Sequence, residues 1–157
     1  MKAFKQYIVI CIFIFFWTSA TGQVKTIDKD SLINYAKSYL GKPYKYGSSC
    51  EKAFDCSGFV SFVFRHFGIS TPNSSKDYYR TGTSILLDSC KKGDIILFTG
   101  TNFSRKQVGH VGIIISNQGE PVFFIHSSSS KNHWGVTITD YNNSAYPKRF
   151  MGIKRIL

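Results

Sequence analysis

Asp55-Cys56-Ser57-Gly58-Phe59-Val60-Ser61-Phe62-Val63-Phe64-Arg65-His66-Phe67-Gly68 is the stretch on which the fold turns. An extended segment enters it at Asp55-Cys56, and Gly68 closes it with a residue suited to ending a helix. Between them Phe59, Val60, Phe62, Val63 and Phe67 place apolar groups on nearly every side. The stretch therefore predicts a helix from about Cys56 to Phe67 that is buried all round and central to the domain. Upstream, Asp30 or Ser31 can cap a helix running to Leu40, with Leu32, Ile33, Ala36, Tyr39 and Leu40 on one face and Gly41-Lys42-Pro43 as its stop.

Downstream of Pro72 a polar stretch carries a short helical turn over Lys76 to Arg80, and then the pattern changes. Ile95 to Thr99, His110 to Ser116, Val122 to His126, Val136 to Asp140 and Met151 to Ile156 are short and rich in β-branched and aromatic residues. Gly, Asn, Ser and Pro separate them, as they separate strands. Helices that precede strands predict an α+β domain, its N-terminal helices packed on a five- to six-stranded, mainly antiparallel sheet.

The chain has 157 residues and a formal charge of +11. Residues 1–22 have the pattern of a signal peptide: Lys2 and Lys5, an apolar run from Ile8 to Trp17, and small residues up to Gly22. The run is too short to cross a hydrocarbon core of roughly 30 Å, so cleavage before Gln23 is expected, with no stable membrane anchor afterwards. Residues 23–157 then form one domain of 135 residues with 18 basic and 9 acidic side chains. That size supports a single core, and the composition excludes disorder, several domains and a coiled coil. The positive charge is scattered rather than gathered on one helix. For an exported protein, periplasmic or secreted, this favours an anionic envelope polymer over nucleic acid as the partner.

Cys11 leaves with the leader, and Cys50, Cys56 and Cys90 remain. An odd number leaves at least one thiol unpaired within the chain. Cys56 lies in the first turn of the buried helix, where free N–H groups and the helix dipole favour a thiolate, and its own amide could face an oxyanion. By itself a cysteine there is more often a small buried hydrophobe. Two histidines sharpen the reading. His110 lies at the start of one strand and His126 at the end of the next, joined through the turn Asn117-Gln118-Gly119-Glu120. If paired residue numbers sum to 236 or 238, both rings share a face; if to 237, they oppose. An even register is expected, with His110 toward Cys56 and His126 behind it, forming a Cys-His-His triad. His66 reads as polarity at a helix end and His133 as a loop residue. A zinc site of Cys50, Cys56, His110 and His126 lacks ligand-pair spacing, so neither metal nor cofactor is expected.

Five ordered motifs now resemble the NlpC/P60 family of cell-wall cysteine peptidases: Gly41-Lys42-Pro43-Tyr44-Lys45-Tyr46-Gly47, Asp55-Cys56-Ser57-Gly58-Phe59-Val60, Lys92-Gly93-Asp94-Ile95-Ile96-Leu97-Phe98, Gly109-His110-Val111-Gly112-Ile113 and Phe124-Ile125-His126-Ser127-Ser128. The resemblance spans residues 30 to 156 and implies a papain-like fold. It also implies Cys56 as nucleophile, His110 as general base and acid, His126 as the orienting residue and Tyr44 at the oxyanion hole. Asp55 and Ser57 match positions that in some members recognise a free amino group. The implied substrates are peptidoglycan or muropeptides, cut in the stem peptide or its cross-link, by a protein acting as a monomer. The chain departs from the pattern at Gly47-Ser48-Ser49, where a second glycine is usual, and at Cys50. Cys50 is expected to pair with Cys90, or to be a free structural thiol; a bridge to Cys56 would store the enzyme inactive. With no room for an added wall-binding module, either the basic surface supplies targeting or the substrate is a small released muropeptide. Rival readings are a non-catalytic wall-binding module and an antibacterial amidase effector of the same fold.

Overall fold

The computed structural model describes residues 27–101 and 105–157, so the expected signal peptide lies outside the described residues. Helix α1 spans Lys29–Lys37 and helix α2 spans Cys56–His66. The strands are β1 (Ser49–Cys50), β2 (Ala53–Phe54), β3 (Thr83–Ile85), β4 (Ile95–Thr99), β5 (Val108–Ile114), β6 (Phe123–Ser130), β7 (His133–Asp140) and β8 (Phe150–Arg155). β1 and β2 form a small hairpin, and the other six form one antiparallel sheet in the order β3-β8-β4-β5-β6-β7. Among the described residues no helix is long and apolar enough to cross a membrane.

The expected α+β architecture is present, with differences at element ends. α1 begins one turn earlier than expected because Asp28, not Asp30 or Ser31, caps it, accepting from the Asp30 and Ser31 amides at 3.2 and 3.1 Å. It also ends earlier, at Lys37, so Leu40 falls outside the buried face and is 46% exposed. β6 and β7 are longer than their apolar patterns suggested, and β3 carries no such pattern at all. Ser127 and Ser128 stay in β6 as buried residues, and the Ser127 hydroxyl donates to the Phe54 carbonyl at 2.8 Å. His133, expected in a loop, is the first residue of β7 and pairs with Ser130.

The sheet has an apolar cluster on each face. On one, Phe59, Val60, Val63 and Phe64 of α2 pack with Leu32, Ile33 and Ala36 of α1 against Ile95, Leu97, Val111, Ile113 and Ile125. On the other lie Ile96, Phe98, Ile114, Phe124, Tyr141, Ile153 and Cys90. This two-face alternation is what period-two strands between two apolar layers require.

Among the described residues Cys50, Cys56 and Cys90 are free thiols, so of the two expectations for Cys50 the free thiol is found and the bridge to Cys90 is not. Cys50 is exposed on the β1 hairpin beside α2, whereas Cys90 is buried in the cluster on the far face of the sheet, so the sheet itself separates them.

One charged pair ties the C-terminal strand to the start of β4. Arg155 donates to both oxygens of Asp94, at 2.8 and 2.7 Å, and Asp94 also accepts from the Lys91 amide at 2.9 Å. Asp94 is fully buried, so losing the guanidinium strands a carboxylate in the core. Arg155→Ala is expected to lower unfolding stability by about 3 kcal/mol, measured by urea denaturation, whereas substitution of the solvent-facing Lys92–Asp30 pair should leave the urea midpoint nearly unchanged.

Candidate active site

The site begins at the N-terminus of α2. Asp55 caps the helix, its carboxylate accepting from the Gly58 amide at 2.6 Å, the Ser57 hydroxyl at 3.1 Å and the Gly47 amide at 2.8 Å. One side chain thus holds both the first helical turn and the loop that follows Tyr44. Gly58 lets that loop approach, because a Cβ there would fall onto the Ser48 carbonyl oxygen. The Ser48 carbonyl in turn accepts from the Asp55 amide at 2.8 Å.

Cys56 is 8% exposed, and the amides of Val111, Ser57 and Cys56 itself hydrogen-bond its sulfur. The nucleophile candidate therefore lies against β5 at the residue following His110. Burial, and next the Asp55 carboxylate, push its thiol up to about 11 against the pull of those amides. The sequence-based expectation of a thiolate at the helix terminus is corrected here: desolvation outweighs the dipole, and the resting group is a thiol.

Ile113 pairs with Ile125 and Ile114 with Phe124, each summing to 238. The register is even, and His110 Nε2 lies 2.8 Å from His126 Nδ1, the rings at 88°. His126 Nε2 lies 2.9 Å from the Thr139 hydroxyl on β7. Burial, and next the Arg149 guanidinium, hold His110 down to about 3; burial, then the charges of His110, Arg149 and His133, hold His126 well below its ordinary value. Both rings are neutral at physiological pH.

Tyr146 completes the surroundings. Its hydroxyl is 3.5 Å from His110 Nε2, its ring packs on Phe98 and Phe124, and Arg149 lies over it at 5.1 Å while donating to the Thr99 carbonyl. Burial is the first cause that raises both Tyr146 and Tyr44 above the ordinary tyrosine value, with Cys56 a lesser one in each case. Burial, with Cys56, Asp55 and Tyr46, keeps Tyr44 protonated, pushing it up to about 12. Tyr44 pairs with Phe54 through a lone parallel bridge and meets Trp134 edge-on at 5.3 Å.

Of the sequence-predicted residues, Tyr44, Asp55, Cys56, Ser57, His110 and His126 gather here. Cys50 and Cys90 do not, and His66 stacks on Tyr35 at 3.8 Å, away from them. Among the described residues no three His, Cys, Asp or Glu side chains converge as metal ligands. Sequence reasoning missed Thr139, Tyr146, Arg149 and Trp134. Thr139 had a signal: β6 pairs His126 with Thr137, which puts Thr139 on the same face, but only once the hairpin register is known.

Comparison with known proteins agrees with this geometry. The chain is 33% identical over 136 residues to the murein DD-endopeptidase MepS/murein LD-carboxypeptidase of Escherichia coli, an alignment covering 85% of this chain and 66% of that protein. It is 32% identical over 151 residues to the gamma-DL-glutamyl hydrolase of Bacillus subtilis, covering 95% of this chain and 35% of the other. The chain thus spans no more than about two thirds of the length of these two curated relatives. A crystal structure of an NlpC/P60 family protein from Bacillus cereus superposes with a TM-score of 0.74 at 32% identity, over 84% of this chain and 41% of that one. The NlpC/P60 family model itself matches residues 41–155, which hold Tyr44, Cys56, His110 and His126 alike, and the chain belongs to the NlpC/P60 family.

Proposed function

We propose that this chain is an exported cysteine peptidase that hydrolyses amide bonds in peptidoglycan stem peptides or their cross-links through a thioester. The observation that carries the reading is the hydrogen-bonded series His110–His126–Thr139 beside a thiol at a helix N-terminus. The family's murein hydrolases support the substrate class.

In this mechanism His110 uses Nδ1, the ring nitrogen not committed to His126, to take the Cys56 proton. Nδ1 can accept only if Nε2 carries the hydrogen and donates it to His126 Nδ1. His126 then holds its own hydrogen on Nε2 and donates it to the Thr139 hydroxyl. One protonation pattern therefore satisfies all three groups, and it is the pattern a general base needs. Because the thiol is held high and the imidazole low, proton transfer proceeds together with attack, as the sulfur lone pair reaches the carbonyl carbon. The Cys56 amide and the Tyr44 hydroxyl donate to the oxyanion. His110 returns its proton to the leaving amine, and water, deprotonated by His110, hydrolyses the thioester and regenerates the thiol.

Cys56→Ala is expected to abolish cleavage of purified muropeptides, followed by chromatography and mass, with an unchanged circular dichroism spectrum; full activity in that variant sinks the scheme. Thr139→Val should lower kcat roughly tenfold, the value of one buried hydrogen bond, with KM little changed, and Thr139→Ser should restore it. Acid should also destabilise the fold. An unfolded histidine takes up a proton near pH 6.5 while folded His110 resists protonation down to about 3, so stability present above pH 6.5 is lost as pH falls through that window. Melting temperatures between pH 7 and pH 4 should fall more steeply in the wild type than in a His110→Asn, His126→Asn double variant.

A further inference from the structure

Trp134 is a large aromatic residue left 54% exposed at the start of β7, and the catalytic scheme does not use it. Its position is fixed rather than incidental. The segment carrying Tyr44 is bonded to β7 through both backbone groups of Val136: the Gly41 amide donates to the Val136 carbonyl at 2.9 Å, and the Val136 amide to the Lys42 carbonyl at 2.8 Å. Between Trp134 and Val136 stands Gly135, with a φ of +105°, where a Cβ would fall onto the Lys42 carbonyl oxygen. Only glycine permits that approach, and it seats the indole edge-on against the Tyr44 ring at 5.3 Å and 69°. Tyr44 in turn bridges to Phe54, two residues before Cys56. Trp134 is thus packed on the segment that borders the turn into Cys56.

We propose that the exposed face of Trp134 is a subsite for the pyranose ring of a peptidoglycan amino sugar, so that the substrate is a stem peptide still attached to its glycan. The inference rests on the peptidoglycan reading above and deepens it. Stem peptides offer small or polar groups: alanyl methyls, carboxylates, amides and the diamino acid's amine. The flat face of C–H bonds that complements an indole belongs to the sugar, whose hydrogens carry partial positive charge toward the negative face of the ring. An exposed tryptophan beside a reaction centre marks a binding surface rather than a core residue. The exposed Lys42 and Lys45 on the same segment suit the anionic polymer around it.

The test compares two substrates that differ only in the sugar: a disaccharide-tetrapeptide and the same tetrapeptide without sugar. The ratio of their kcat/KM values is expected to fall about fivefold in Trp134→Ala through KM of the sugar-bearing substrate, and to return in Trp134→Phe. Any disturbance of Tyr44 lowers both rates and cancels in the ratio, so an unchanged ratio overturns the platform. Titration of peptide-free N-acetylglucosamine–N-acetylmuramic acid disaccharide into the Cys56→Ala protein should shift the Trp134 indole resonance, and no shift at millimolar sugar also overturns it. Failure of the wild type to cut either substrate or a cross-linked dimer of it overturns the proposed hydrolysis instead, while the disaccharide titration still decides the subsite.

Discussion

Ile113 faces Ile125 and Ile114 faces Phe124 across β5 and β6, and the site depends on that pairing more than on any other contact. A slip of one residue would turn every β6 side chain to the opposite face, burying His126 among the aliphatic residues that meet α2 and exposing Ile125 to the aromatic layer. The register is held because both faces of the hairpin are packed: Val111, Ile113 and Ile125 against α2, and Phe124 and Ile114 in the layer of Phe98 and Tyr141. Two apolar layers leave one alignment in which histidines 16 residues apart can share a hydrogen bond.

The electrostatics of the centre follow from the same burial. Thiol and imidazoles lie where charge is costly, and Arg149 adds a positive field at both rings. The helix terminus contributes amides to the sulfur, but too few to ionise it in a dry site. The resting site is therefore neutral, with its protons placed by hydrogen bonding, and Thr139 is the end of the series that places them. Asp55 does comparable work for the backbone, joining helix, nucleophile turn and Tyr44 loop through one carboxylate.

Trp134 and Gly135 extend this frame outward. The β6–β7 hairpin supplies Thr139 behind the two histidines from one end and Trp134 beside Tyr44 from the other, so one strand touches both the inner support and the exposed edge of the site. With a sugar subsite at that edge, the choice between a sugar-bearing stem and a bare stem peptide becomes a question about one indole face.

Much of this was legible from residue order alone. The apolar run after Cys56 could only be a buried helix, β4 showed its exact bounds in Ile95 to Thr99, and five motifs in order identified the family before any coordinate. Parity restricted the histidines to two arrangements, and the pairing of β5 with β6 has the expected even one. Sequence could not supply what depends on distant chain segments meeting. Serines in β6 are strand residues because Phe54 accepts one of their hydroxyls, Cys50 and Cys90 stay apart because the sheet runs between them, and the Cys56 thiol stays protonated because walls from several elements exclude water. Thr139, Tyr146 and Trp134 acquire meaning only from that closure. Local pattern encodes which face of an element is apolar, whereas desolvation and side-chain partnership are properties of the assembled layers.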